Sequence, residues 1–493
     1  MKRNFSLLII VLLFSNCKEK AKEVQNEPLS AIEYSMVNNA NFILENPEIN
    51  SVSIGIYKDG ETHIGYYGEI DKGKNNLPND NSLFEIASVT KSFTGIITAQ
   101  AVLDGKIKVD DDIRTYLDDS YPNLVFEDRP IQIRDLLTHT SGIRRDFSVV
   151  LSKLFTLDAT QEEKTNIVNY NSEDLQKDLK QYKLDRIPGS RYEYSPVVGP
   201  EILAMILEKV YNKSFSNLLN DQILNKADMN QTQLQLTTEE SSNLVNSYTD
   251  EGLLVQPMPL PVKGAGAGLK SSIPDLIKYT KYLLDTDNPV INEMQKPLFN
   301  DVLEGDLYGY FWQLNDDGEF MHNGGTHGST NWVIVSPEIN AGFTVMFNSN
   351  GDTSGTLINN IANRILNDLE NYPKKNAYFS VRKKIMENTN KGIEFYNKLK
   401  LEKLEDFDFE DSSMLNSIGY ELLGHEQNED AIKVFKLLVS EFPNEGNPYD
   451  SLGEAYYINE QYELSLKNYK KALELNPKND NARNAIDEIN KII

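Results

Sequence analysis

The alternation of apolar and polar positions divides the chain into regions of different period. Residues 51–58 (SVSIGIYK) and 61–67 (ETHIGYY) read as two β-strands joined by Asp59-Gly60, a two-residue hairpin signal. Far downstream, 331–335 and 342–347 are again rich in β-branched and aromatic residues, and a helical pattern follows over about 356–370. The intervening stretch is mostly helical. Within it, residues 91–103 place Phe93, Ile96, Ile97 and Ala101 on one stripe, the mark of a buried helix. Strands at both ends of one region, with helices between, predict an α+β fold in which the two ends meet in a single antiparallel sheet.

Beyond this region the period changes. Residues 374–411 are charged and helical in pattern, and 412–445 repeats as 446–479 at an interval of 34. Leu415, Ile418, Gly419, Leu422, Ala431, Phe435, Leu438 and Pro443 recur in type as Tyr449, Leu452, Gly453, Tyr456, Ser465, Tyr469, Ala472 and Pro477. That spacing is the tetratricopeptide pattern, in which small residues let paired helices approach and proline ends the second helix. A last helix over about 481–492 carries Ala485, Ile486 and Ile489 on one face and would cap the stack. Two repeats with a cap offer either a short concave surface for a protein partner or an accessory unit that packs on its neighbour.

The opposite end has its own signature. Met1-Lys2-Arg3 precedes an apolar run, Leu7 to Phe14, too short to span a bilayer and suited to a signal peptide. Cys17, the only cysteine, follows directly and resembles the lipidated first residue of a bacterial lipoprotein. Phe14 and Asn16 depart from the commonest cleavage box, and an ordinary secretory signal is the competing reading. The expected organisation is therefore a leader over 1–17, a tether over 18–29, an α+β domain over 30–372, a helical connector over 373–411 and the all-α repeats with their cap over 412–493. The expected location is the bacterial cell envelope, with a lipid anchor most simply in the outer membrane.

Composition narrows the chemistry. A hydrophobic share of 40% excludes a polytopic membrane protein and a wholly disordered chain. Lys+Arg 49 against Asp+Glu 74 gives a net charge of -25, which repels nucleic acid. One cysteine cannot form an intrachain disulfide or a thiolate cage, and the five histidines show no metal-ligand spacing, so no metal or other cofactor is expected. Gly264, Gly266 and Gly268 lack the lysine and βαβ context of a phosphate loop.

The informative motif is Ser88-Val89-Thr90-Lys91. The same spacing at Ser15-Lys18 and Ser380-Lys383 shows that it means little alone. Ser88, however, opens the buried helix of 91–103, where residues three apart face the same way. Lys91 then reaches the Ser88 hydroxyl, and an amine buried there can accept its proton. Other segments follow in order: Leu136-Leu137-Thr138-His139-Thr140-Ser141-Gly142, Pro188-Gly189 leading to Tyr194-Ser195, Gly264 to Leu269, and His322-Asn323-Gly324-Gly325. Together with Phe84 to Lys91 they resemble the serine β-lactamase and penicillin-binding-protein superfamily, in its class C-like branch that includes esterases and D-aminopeptidases. The resemblance covers roughly residues 30–370.

That resemblance implies a β-lactamase/transpeptidase-like fold and a role for each matching position. Ser88 would be the acylated nucleophile, Lys91 its base or proton relay, and Tyr194 the tyrosine that assists nucleophile and leaving group. The backbone N–H groups of Ser88 and Gly325 would form the oxyanion hole. His322 would stand where the third motif has a cation, with Asn323 and Gly324 beside the substrate. Two departures bear on specificity. The usual Tyr-x-Asn is Tyr194-Ser195-Pro196, which removes a side-chain amide, and the usual Lys-Thr-Gly is His322-Asn323-Gly324. Both weaken recognition of penicillins and of D-alanine-terminated peptides while leaving acyl transfer possible. The expected activity is therefore esterase-like hydrolysis through an acyl-enzyme. A D-specific peptidase, a weak β-lactamase and a non-catalytic envelope binding module are the alternatives. His139 is expected to be structural.

Overall fold

The computed structural model describes residues 29–302 and 305–493. The expected leader and Cys17 lie outside the described residues. Helix α1 (Ala31–Leu44) opens the described chain, with Ser30 and Glu33 closing a reciprocal capping box at its start. Strands β1 (Ser51–Lys58) and β2 (Glu61–Gly68) form the expected hairpin, and Asp59 and Gly60 both take positive φ, as a tight two-residue turn requires. A short strand, β3 (Phe84–Glu85), leads into helix α2 (Thr90–Leu103).

The helical stretch that follows includes α3 (Gln161–Asn169) and α4 (Val198–Tyr211), a small hairpin of β4 (Ser247–Thr249) and β5 (Leu254–Val255), and α5 (Ile273–Leu283). The chain then returns to the sheet through β6 (Phe299–Asp301), β7 (Asp306–Gly309), β8 (Trp312–Leu314), β9 (Phe320–Gly325), β10 (Thr330–Ser336) and β11 (Ala341–Phe347), and closes with α6 (Asp352–Glu370).

The eight-stranded sheet has the order β2-β1-β11-β10-β9-β8-β7-β6, with every neighbouring pair antiparallel. The two ends of the region meet as expected, with Val52, Ile54 and Ile56 opposite Phe347, Val345 and Phe343. Those six side chains pack with Met36 of α1 and with Ile358, Ile361 and Ile365 of α6. Strand alternation sends the other face toward α5 and the helical region, which forms a larger second core. Phe93 of α2 stacks on Tyr279 of α5 with ring centroids 4.0 Å apart, fixing the helix that follows Ser88 against α5.

Beyond the sheet, α7 (Tyr378–Glu387) and α8 (Thr389–Lys403) precede the repeats α9 (Ser413–Gly424), α10 (Asn428–Glu441), α11 (Gly446–Ile458) and α12 (Tyr462–Leu475), with α13 (Asp480–Ile492) last. Gly419 is required where it stands, because a Cβ there would lie 2.4 Å from the Phe435 ring. Tyr469 packs against Gly453 in the same way one repeat later. The segment read from sequence as a connector is also a layer of the stack: Val381, Ile385 and Tyr396 share one core with Leu415, Phe435 and Leu438. Arg382 joins the two regions, bonding Glu421 of the first repeat at 2.6 Å and Glu45 beyond α1 at 3.2 Å.

Candidate active site

Ala87, Ser88 and Val89 form one turn of 3₁₀-helix ahead of α2. Ala87 takes φ 46°, a region non-glycine residues rarely enter, so Ser88 sits at a strained bend between β3 and the helix. Such strain persists only where the surroundings over-determine the backbone, and here Ala87, Val89 and Thr90 are all fully buried. The next turn of α2 carries Lys91, with no solvent exposure at all. Its Nζ donates to Ser88 Oγ at 2.9 Å and to the Gly266 carbonyl at 2.8 Å. No carboxylate pairs with it among the described residues. The Gly266 carbonyl therefore aims the amine at the serine.

Tyr194 arrives from an irregular segment rather than a strand. Its Oη lies 2.7 Å from Ser88 Oγ, and its ring centroid 5.2 Å from Lys91 Nζ. Ser88 Oγ thus stands between an amine and a phenol, both within hydrogen-bond reach, which gives two routes for its proton. The segment before Tyr194 is pinned to the 138–142 loop, where Gly189 N–H donates to Thr140 O and Glu193 N–H to His139 O, each at 2.8 Å. His139 is buried, at φ 56°, with its ring 4.6 Å from the Tyr194 ring. Burial, with the nearby Lys91 amine and His322, holds its pKa well below the usual histidine value. It acts there as a neutral platform under the tyrosine.

Strand β9 forms the opposite wall. It pairs with β10 along its whole length but with β8 only at Phe320 and Met321, so among the described residues the outer edge of 322–325 has no strand beside it. Thr326 N–H donates to Ser329 O on the β10 side. Successive N–H groups of an extended chain alternate, so the Gly325 N–H points to the open edge. Gly324 makes this wall possible: a Cβ there would lie 2.2 Å from the carbonyl oxygen of Ile86, two residues before Ser88. Asn331 braces the same approach, donating to Gly324 O at 3.2 Å and to Ile86 O at 3.4 Å. Asn323 is exposed beside that edge.

His322 lies on the same strand. The ring is buried, its Nδ1 lies 2.6 Å from the Asn323 carbonyl, and its centroid is 6.3 Å from that of Trp312. Burial, together with the nearby Lys91 amine, pushes its pKa down to about 3, so it is uncharged at neutral pH and supplies no cation to a substrate carboxylate. Pro196 is buried and offers no side-chain hydrogen bond.

One residue of the site escapes sequence reasoning. Glu201, in the first turn of α4, is buried and accepts a 2.9 Å hydrogen bond from Lys263 N–H, with the N–H groups of Ala265 and Gly266 also turned to its carboxyl. Burial outweighs these bonds and raises its pKa to about 7. The same loop gives its Gly266 carbonyl to Lys91 and its Ala265 carbonyl to Thr94 at 2.8 Å. Glu201 thus holds the loop that aims Lys91. Its only sequence signal is a lone acid in the apolar run Val197 to Leu203.

The family model described as Beta-lactamase matches residues 39–367, and that described as TPR repeat matches 453–486. Protein flp of Staphylococcus aureus (strain N315) is 24% identical over 336 residues, which cover 66% of this chain and 64% of that protein. The chain thus spans somewhat less than two thirds of the length of such curated relatives. A Beta-lactamase of Providencia stuartii is 24% identical over 238 residues, 48% of this chain and 56% of that one. Among solved structures, a Beta-lactamase/D-alanine carboxypeptidase from Yersinia pestis, complexed with citrate, superposes with a TM-score of 0.58 at 22% identity, over 68% of this chain and 98% of the other. An octameric penicillin-binding protein homologue from Pyrococcus abyssi gives 0.57 at 24% identity, over 72% and 81%. These structures share the fold of the sheet and its helical region.

Proposed function

We propose that this chain, which belongs to the Beta-lactamase family, is an esterase-like serine hydrolase that works through an acyl-enzyme on Ser88. The observation that carries the reading is the position of Ser88 Oγ, 2.9 Å from Lys91 Nζ and 2.7 Å from Tyr194 Oη, opposite the open edge of β9. Lys91 and Tyr194 take the serine proton as Oγ attacks an ester carbonyl. The N–H groups of Ser88 and Gly325 receive the oxyanion, and the proton passes to the departing alkoxide. Water then repeats the sequence on the acyl-enzyme, regenerating Ser88 and releasing the acid. An oxyanion donor of this kind is typically worth about 10²–10³ in rate.

Esters are favoured over β-lactams and D-alanyl peptides because Pro196 offers no amide and His322 is neutral. The unpaired edge of β9 supports a second reading, an amide substrate laid along it as an added strand. We place the protein at the bacterial envelope, anchored through Cys17, on the strength of the leader pattern alone. The repeats, on this proposal, offer a protein-binding surface.

The test is hydrolysis of p-nitrophenyl butyrate by residues 18–493 beside the Ser88→Ala variant. Turnover lost in the variant supports the reading. Turnover retained, or labelled penicillin attached to Ser88 with no ester turnover, overturns it in favour of another nucleophile or of the amide alternative.

A further inference from the structure

An apolar groove lies beside the site, between the α3 region and the β4–β5 hairpin, with a volume of about 690 Å³. Leu154, Leu157, Val168, Leu253, Leu254 and Met258 line it, and His327 stands at one end. Leu157, Val168, Leu253 and Leu254 are 58, 60, 65 and 55% exposed. Large apolar side chains left in water singly are ordinary, but four around one groove mark a surface that a ligand covers. The volume falls in the usual range for small-molecule sites, about 300–1,000 Å³.

The groove adjoins the elements that carry the nucleophile at two points, His327 and Met258. His327 is two residues past Gly325, in the turn that Thr326 N–H closes on Ser329 O, and its Nε2 lies 3.2 Å from the Leu154 carbonyl. Met258 N–H donates at 2.9 Å to the carboxylate of Glu85, three residues before Ser88. Ser329 Oγ donates to the Glu85 carbonyl at 3.3 Å, closing the joint between the two walls. The hairpin is held in turn by Tyr248 N–H, which lies 3.2 Å from Gly328 O. The apolar groove thus begins one turn beyond Gly325, with His327 at the end nearer the site.

We infer that this groove is the acyl-chain site, and that the substrates are esters of aliphatic acids of medium length. This deepens the esterase reading and rests on it. An acetyl group is too short to pass Gly325 to His327, whereas hexanoyl and octanoyl chains reach the groove. Each methylene buried there raises kcat/KM by about fourfold, the equivalent of the transfer free energy of one CH₂.

The test uses residues 18–493, which hold every described element, with p-nitrophenyl acetate, butyrate, hexanoate and octanoate below their micelle-forming concentrations. The comparison is with a V168D/L254D variant, both of whose sites are solvent-exposed and distant from the nucleophile in sequence. The expected result is a kcat/KM that climbs along the series in the parent and flattens in the variant, with acetate hydrolysis equal in both. Ser88-dependent acetate hydrolysis with no rise along the series in the parent, or an identical rise in the variant, overturns the groove assignment and leaves the esterase reading standing. Absence of turnover for every ester overturns both. Co-sedimentation with anionic vesicles that the variant loses, alongside a flat series, would assign the groove to a lipid surface instead and also overturns the inference.

Discussion

The repeat stack and the candidate active site solve opposite problems. In the stack, helices meet their neighbours through residues close in sequence: Gly419 accepts the ring of Phe435, and Gly453 that of Tyr469 sixteen positions later in each case. In the site, Ser88 meets Tyr194 across 106 residues and Lys91 meets Gly266 across 175. The stack is apolar, regular and repeated, whereas the site gathers a buried amine, a buried carboxyl and a strained bend once only. Local contacts bring a modest entropic cost of closure, and distant ones a larger cost that the surrounding core must offset. A periodic pattern can therefore build a surface, but reactive groups of unlike chemistry are brought together by irregular segments on a rigid sheet.

The contrast can be broken by substitution. Lys91→Ala is expected to lower kcat for p-nitrophenyl butyrate by about 10²–10⁴-fold, with the thermal transition of the repeats unmoved. A variant within threefold of the parent would remove Lys91 from the proton path. Glu201 sharpens the comparison through pH. Its folded pKa of about 7 stands above the ordinary 4.5, so the folded state holds the proton more tightly. The stability this contributes is complete below about pH 4.5 and is lost as pH rises through 7, on the order of 3 kcal/mol in all. Glu201→Gln should abolish that part of the decline, read as the difference between parent and variant in urea midpoints at pH 5 and pH 8. Parallel midpoints in the two proteins would show that Glu201 does not titrate in that range.

Smaller effects separate the regions further. Gly324→Ala places a Cβ against the Ile86 carbonyl and must push β9 away from Ser88. A displacement of that kind costs about 10²-fold in kcat, with little change in the unfolding of α9 to α12. Gly419→Leu does the reverse. Overpacking against Phe435 should destabilise the stack by about 1–3 kcal/mol, seen as earlier proteolysis within 413–475, while ester turnover stays within twofold. Loss of turnover in that variant would mean that the stack supports the site rather than standing beside it.

Legibility in the sequence followed the same division. The hairpin at Asp59-Gly60, the return of the last strands to the first, the helix after Ser88 and the 34-residue repeat were all readable, because each rests on a local period or a turn rule. The approach of Lys91 to Ser88 was readable from helical spacing, whereas that of Tyr194 was readable only through motifs, since no period links residues a hundred positions apart. His322 shows the limit of a motif. Its place in the third motif was legible, but the strand that carries it and its burial beside Trp312 depend on packing. Glu201 was missed because an isolated acid in an apolar helix carries no sign of the backbone loop it will hold. The helices over 378–403 were legible as helices, though not as a layer of the stack, because they lack the small-residue spacing of the two repeats that follow.

The most direct measurement is intact-mass analysis of residues 18–493 after rapid quenching with p-nitrophenyl butyrate, followed by peptide mapping. The account predicts one butyryl adduct, located on Ser88, absent from Ser88→Ala and formed more slowly in Lys91→Ala. Steady turnover with no adduct at any quench time, or an adduct on another residue, would contradict it.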